Sequence, residues 1–415
     1  MSERVLISFL GKGRQQDFNG TRSGYEQVKY EFPAQDDGPG AQHTTTLFGW
    51  ALWQRLAATG RRPHRWLILG TPESIWTALG DVFGDAEQGV ACLEALKSNG
   101  NGVTSDQLAA AAALIQPLLC EGRPKHETCV DLRLTTACRT KAQQQELFAL
   151  LDSALHEHDN VTLDITHGFR HLPVLLSFML NLLAFTKDVR VKGMFYGARE
   201  MTENGHTPVV DLAACVDYSA LTAGAATLAN TGNYRRLAEH YPNEIRKKLE
   251  QMAFLESSNR VARGRQVARE CRNFLDRYAE DDVPATINKK IRDALAWSDG
   301  DNYAARVVER GKFCLDHRDY AKAAALLFEG IILHAARRAG IQLTDTYDET
   351  RRLEAEKWLE GMNFRELRVL RHVRNALAHG TEPTDAAAQS VLATEDHLHR
   401  FLQRISDLAD QVAQP

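Results

Sequence analysis

The pattern that most limits the fold is a change of periodicity near residue 221. Before it, short apolar runs of strand character alternate with helical segments; after it, strand patterns vanish. Val5 to Leu10, Arg65 to Leu69, Cys129 to Leu134, Val161 to Ile165, Val189 to Tyr196 and Pro208 to Asp211 read as strands. Thr45 to Leu56, Lys141 to Leu155 and Pro173 to Phe185 read as the helices between them. Such alternation predicts a parallel sheet with covering helices. From Leu221 onward, Glu244 to Phe254, Val261 to Tyr278, Ile287 to Trp297, Tyr303 to Leu315, Tyr320 to Arg338, Arg351 to Glu360 and a final helix from Ala386 to Asp410 predict an all-α module. The expected class is α/β plus all-α, with one domain over residues 1–220 and a helical connector and second domain over 221–415. A chain of 415 residues is long enough for two cores.

The strand-to-helix turns of the first half gather polar residues at one edge. The first strand ends in Gly11-Lys12-Gly13, the second in Gly70-Thr71, and the Val161 run in Asp164-Ile165-Thr166-His167-Gly168. Turns at the carboxyl ends of strands present backbone N–H groups to anionic ligands in open α/β sheets. Gly11 to Gly13 does not complete a dinucleotide fingerprint, because Gln16 stands where a third glycine belongs, and no Walker Lys-Ser pair follows. An NAD or ATP enzyme is disfavoured. The alternative for His167 is a structural turn residue whose ring satisfies neighbouring backbone groups. Residues 14–40 are long and polar for a loop, and suggest a binding loop or hairpin using Tyr25, Val28, Tyr30 and Phe32.

In the second half, Arg374-Asn375-Ala376-Leu377-Ala378-His379 places a guanidinium and an imidazole inside a helical pattern carried by Leu367, Leu370, Val373 and Leu377. Gly380 and Pro383 supply the stop. Cutting RNA without metal needs a base for the 2′-hydroxyl, an acid for the 5′-oxygen and a cation for the phosphate. Histidine, with an ordinary pKa of about 6.5, and arginine, with its planar fork, supply these. Positions five apart on a helix lie roughly 140° apart, whereas Asn375 and His379 share a face. Arg374 and His379 therefore converge only if the helix ends near Gly380 or a second copy of the chain completes the site. The same spacing recurs at Arg235 and His240, and a looser one at Arg310 and His317, so spacing alone decides nothing.

Composition narrows the setting. Apolar residues at 44% and charged residues at 25% are ordinary for a globular protein, and a formal charge of −4 gives no global basic signature. RNA contact then has to come from local clusters; the interleaved Arg260, Arg263, Arg265 and Arg269 read more simply as a solvated helix face. Seven cysteines form no C-x-x-C pair and no zinc spacing, so no metal is expected and the thiols read as reduced. Residues 1–4 lead directly into a strand rather than a signal sequence. The apolar stretch from Leu172 to Phe185 is too short for a bilayer and reads as a buried helix. No membrane association and a cytoplasmic location are expected.

Three stretches in order, Leu6 to Gly13, Asp164 to Gly168 and Arg374 to His379, resemble the DxTHG-motif family of CRISPR-associated proteins, within the CARF-HEPN ribonucleases of type III CRISPR systems. The resemblance implies a Rossmann-like CARF domain that senses cyclic oligoadenylate, followed by an α-helical HEPN domain that cleaves single-stranded RNA once the signal binds. It implies ligand contacts from Gly11, Lys12, Gly13, Gly70, Thr71, Asp164, Thr166, His167 and Gly168, and catalysis by Arg374, Asn375 and His379. It implies a homodimer or a multiple of dimers, with a ring of four or six adenylates on the two-fold axis, and no cofactor. Two other readings stay open: a nucleotide-sensing regulator whose helical module is not catalytic, and a sensor domain that also cleaves its cyclic activator.

Overall fold

In the first half, consecutive residues along each central strand bury themselves on opposite sides, which commits the chain to a sheet with both faces covered. A computed structural model of the protein describes residues 2–12, 25–34, 40–82, 87–96, 102–120, 128–278, 283–343, 348–362 and 364–414. Its strands are β1 (Arg4–Leu10), β2 (Val28–Phe32), β3 (Ala41–Thr45), β4 (Arg65–Gly70), β5 (Cys129–Leu134), β6 (Asn160–Asp164), β7 (Arg190–Gly197) and β8 (Thr207–Asp211). They form one sheet in the order β3-β2-β8-β7-β6-β1-β4-β5. Leu6, Leu10, Trp66 and Ile68 pack on one side with Leu52, Leu56 and Ile115. Val5, Ile7, Phe9, Leu67 and Leu163 pack on the other with Leu147, Leu151, Leu176 and Leu180.

The expectation of a parallel sheet holds for the five strands β7-β6-β1-β4-β5 and fails at the edge. β8 runs antiparallel to β7, and β3 antiparallel to β2, while β2 is parallel to β8. The cause is connection length: residues 198–206 hold only a 3-10 turn at Arg199–Met201 and a Glu203–His206 bridge, too short for a crossover that needs a dozen or more residues. Thr45 belongs to β3 rather than to a helix, which starts at Phe48 and runs Phe48–Ala58. Helices Ala78–Val82, Glu87–Ala95 and Ser105–Cys120 lie between β4 and β5, where the sequence reading placed none.

The helix His171–Thr186 also departs from expectation. Leu172, Leu176, Leu180 and Leu183 are buried, but Val174, Phe178, Leu182 and Phe185 are exposed, Phe178 at 72%. It is half buried, not buried. Spacings of four, four and three align those exposed side chains in one stripe.

The chain divides into two units, Met1–Ser219 and Ala220–Pro415. The second is helical, built around Tyr320–Arg338, which is buried on most of its circumference and packs against Tyr303–Asp316, Glu349–Gly361, Arg365–His379 and Glu395–Ala413. Glu256 anchors a buried polar cluster. It accepts hydrogen bonds from the Tyr234 hydroxyl and the Trp297 indole, both at 2.8 Å, and pairs with Arg310 at 3.1 Å. Burial pushes the Glu256 pKa up, and Arg310 pulls against it. The expected single helix from Ala386 to Asp410 is two, Ala386–Leu392 and Glu395–Ala413, because Thr394 turns extended and caps the second by accepting from the His397 N–H.

Candidate functional site

Within the parallel core, strand order reverses between β1 and β6: β4 and β5 follow on one side of β1, and the chain then returns to β6 on its other side. Open α/β sheets bind ligands outside the carboxyl ends at such a point. Here those ends carry Gly11-Lys12 and Asp164 to Gly168.

The second of these turns is held together by its own side chains. Asp164 is fully buried, and its Oδ1 accepts the Thr166 N–H at 2.8 Å. The Thr166 hydroxyl oxygen accepts the Gly197 N–H at 2.8 Å, tying the turn to the end of β7. Across the register stands Ser8, whose Oγ accepts the Trp66 indole N–H at 3.1 Å. Burial raises the Asp164 pKa to about 6, with hydrogen bonds from Thr166 and Ser8 opposing.

His167 is similarly engaged. The Phe48 N–H, in the first turn of a helix whose N-cap Leu47 offers no side-chain acceptor, donates to His167 Nε2 at 3.3 Å. That bond makes Nε2 the acceptor and leaves the proton on Nδ1. The ring stacks on Tyr25 with centroids 4.3 Å apart, and burial lowers its pKa to about 4. The Tyr25 hydroxyl in turn accepts the Gly11 N–H at 2.7 Å and donates to the Gly11 carbonyl at 3.0 Å. Tyr25 thus clamps the β1 turn and precedes the hairpin strand rather than joining it. Gly168 has φ +97°, and a Cβ on it would stand 2.9 Å from Phe9 Cβ. A Cβ on Gly11 would stand 2.9 Å from the Gly168 nitrogen, so two bare backbones meet here.

The side chains facing open space lie next door. A cleft of about 540 Å³ at the carboxyl ends of β4 and β5 is lined by Lys12, Thr71, Thr135, Thr136, Arg139 and Phe169 among others. The Thr71 N–H donates to Ser74 Oγ at 2.9 Å, and a Cβ on Gly70 would stand 2.8 Å from the Trp76 ring. Lys12 lies 3.8 Å from Glu73, both about half exposed. Gly13 lies outside the described residues. Thr135, Thr136 and Arg139 escaped the sequence reading, although they follow a recognised strand and sit at the same edge.

The second candidate locus is the helix Arg365–His379, which buries Val369, Leu370, Val373 and Ala376. It stays helical to His379, and Gly380 caps it at φ +64°, donating to the Ala376 carbonyl at 2.8 Å. Arg374 and His379 are therefore splayed by about 140° around one axis and do not meet through an early helix end. Arg374 bonds its neighbour instead: Nε and a terminal nitrogen donate to Asn375 Oδ1 at 3.1 and 2.7 Å. Its guanidinium lies over the Phe328 ring, 4.7 Å from the centroid. Asn375 and His379 are exposed on a shared face. Arg235 and His240, by contrast, fall in a short 3-10 turn.

Residues 5–200 match the family described as the CARF domain of the CRISPR system endoribonuclease Csx1. The amino-terminal unit is a CARF domain. The chain is also 23% identical over 352 residues to CRISPR-associated protein MJ1674 of Methanocaldococcus jannaschii, a match covering 79% of this chain. It spans about half, 53%, of that relative's length. The CARF domain thus contains both the Gly11 and the Asp164 to Gly168 turns, while the Arg374 motif lies beyond the matched family segment.

Among the described residues, Glu3, His156 and Asp159 form the one group able to hold a metal ion. Arg65 pairs with Asp159 at 2.8 Å and with Glu3 at 3.4 Å, so the cluster already has its cation. It lies at the amino ends of β1 and β6, opposite the carboxyl edge that carries the Gly11 and Asp164 to Gly168 turns. No described helix is long and apolar enough to cross a membrane.

Proposed function

We propose that this CRISPR-associated protein is an endoribonuclease switched on by cyclic oligoadenylate, and that its carboxyl-terminal unit is of the HEPN type. The observation that carries the reading is the presentation of Arg374, Asn375 and His379 on a single helix of a chain that begins with a CARF domain. In the proposed reaction, imidazole takes the proton from a 2′-hydroxyl, the 2′-oxygen attacks phosphorus, and the bond to the 5′-oxygen breaks as that oxygen is protonated. Arg374 faces the phosphate charge, with Asn375 fixing the direction of its fork.

The angle between Arg374 and His379 argues for two copies. A homodimer would let Arg374 of one chain work with His379 of its partner. The stripe of Val174, Phe178, Leu182 and Phe185 supports dimer formation, since four large exposed apolar side chains in line on one helix are a liability in a monomer. The activator would lie at the carboxyl edge, with Lys12, Thr71 and Arg139 toward its phosphates and the Asp164 to Gly168 turn shaping the crevice. A two-fold ring on a two-fold axis meets identical donors from each chain.

Incubating the purified protein with labelled single-stranded RNA, cyclic tetra- or hexa-adenylate and a metal chelator tests this. Cleavage should need the activator, persist in chelator and leave 2′,3′-cyclic phosphate and 5′-hydroxyl ends. Activity lost to chelation would exclude the proposed chemistry.

A further inference from the structure

Beside Arg374 lies a cleft of about 640 Å³ between the helices Tyr320–Arg338, Glu349–Gly361 and Arg365–His379. Its size falls within the ~300–1,000 Å³ of small-ligand sites. Ile332, Leu359 and Phe364 give it an apolar floor, and Phe328, whose ring carries the Arg374 guanidinium, belongs to its wall. Arg365, Arg368 and His372 line the polar side.

At about 100° per residue, Arg365, Arg368, His372, Asn375 and His379 fall within roughly 80° of one another on the helix. The polar side of the cleft therefore runs on, along one helix face, to Asn375 and His379, while Arg374 borders the cleft from its Phe328 wall. The charges favour an anion. Arg371 holds the two carboxylates of the cleft, Glu356 at 2.5 Å and Glu360 at 4.0 Å. Arg365 and Arg368 make no hydrogen bond or ion pair among the described residues, although Arg368 lies in the field of Asp385.

We infer that this cleft is a nucleotide subsite of the ribonuclease reading, holding the RNA nucleotide next to the scissile phosphate. The base would lie against Phe364 and the apolar floor, and its phosphate would sit between Arg365 and Arg368, with His372 as a further donor. Stacking of a base on an aromatic ring is worth about 1–3 kcal/mol, and guanidiniums at a phosphate add a salt-dependent attraction. The subsite would fix where along a strand the chain cuts.

The test uses the full chain and a fluorescent RNA methylated on its 2′-oxygens, which binds without being cut, read by anisotropy against salt. Arg365→Gln with Arg368→Gln should weaken binding about tenfold or more and flatten the log–log salt slope by about 1.4, two charges' worth on a single strand. Phe364→Ala should weaken it about tenfold through lost stacking. The arginine pair is exposed, so thermal melting of that variant should match the parent and show that folding is intact. Equal affinity and equal salt slope in parent and arginine variant would overturn the subsite. If the variant loses binding while the parent binds but never cuts unmodified RNA, the cleft stands only as an RNA-binding site, and both the ribonuclease reading and the place beside a scissile phosphate fall.

Discussion

The turn after β6 and the end of the Arg365–His379 helix both concentrate polar side chains, yet they use them in opposite ways. In the turn, Asp164 closes on Thr166, Thr166 on Gly197, and His167 on Phe48 and Tyr25. Those groups are turned inward, and their work is to hold β1, β6 and β7 in register at the carboxyl edge of the sheet. On the helix, Asn375 and His379 are exposed, and Arg374 rests on a ring and a neighbouring amide. A motif can mark a site either by touching the ligand or by building the wall that others touch it from, and burial separates the two.

The contrast is open to attack by mutation. At the helix, Arg374→Lys should lower cleavage on the order of 10²-fold or more, since a point charge does not reproduce a planar fork on a phosphate, while thermal stability stays near the parent's. A variant that cuts normally would place Arg374 among structural residues, alongside the turn.

At the turn, the expected signature is stability against pH. The Asp164 pKa of about 6 lies above its ordinary value of about 3.9, so the folded state holds a proton that the unfolded chain releases, and this contribution declines as pH rises from about 4 to 6. The His167 pKa of about 4 lies below its ordinary value of about 6.5, so its contribution is complete above about 6.5 and is lost as pH falls toward 4. Each amounts to about 3 kcal/mol with opposite slope, and together they nearly cancel between pH 4 and 6. In Asp164→Asn the His167 slope should emerge, with urea midpoints of the sensor transition rising with pH; in His167→Gln the Asp164 slope should emerge and the midpoints fall. Parallel profiles for the two variants would show that neither group is held as described.

A smaller effect is expected at Gly168, where a methyl group meets Phe9 and the backbone has positive φ. Gly168→Ala should destabilise the sensor by about 1–3 kcal/mol, visible in thermal melts, whereas Ala378→Gly on the exposed helix face should change stability by about 1 kcal/mol at most. Similar melting of Gly168→Ala and the parent would remove the crowding against Phe9 and the positive-φ strain at Gly168 from the account.

Much of this was legible in the sequence for a physical reason. Strands buried on both faces, such as Val5 to Leu10 and Arg65 to Leu69, are nearly continuous apolar runs that turn residues punctuate. Edge elements do not announce themselves: Ala41-Gln42-His43-Thr44-Thr45 is a strand because β2 pairs with it, not because its pattern demands one. The helix His171–Thr186 misled because it is apolar nearly all round, interrupted by Ser177 and Asn181, so periodicity cannot tell its buried side from its exposed one. At the candidate sites, location was readable and direction was not. Sequence put His167 at the carboxyl edge of the sheet but could not tell that its ring accepts from Phe48, nor that Phe328 lies under Arg374.

The central claim is that the exposed helix end does the chemistry and the inward-bonded turn only shapes the sensor. Its most direct test measures activator-stimulated RNA cleavage and cyclic oligoadenylate binding on the same preparations of His379→Ala and His240→Ala. The account predicts that His379→Ala cuts about 10² to 10⁴ times more slowly with unchanged activator affinity, and that His240→Ala matches the parent in both. Equal losses in the two variants, or loss of activator binding in His379→Ala, would contradict it.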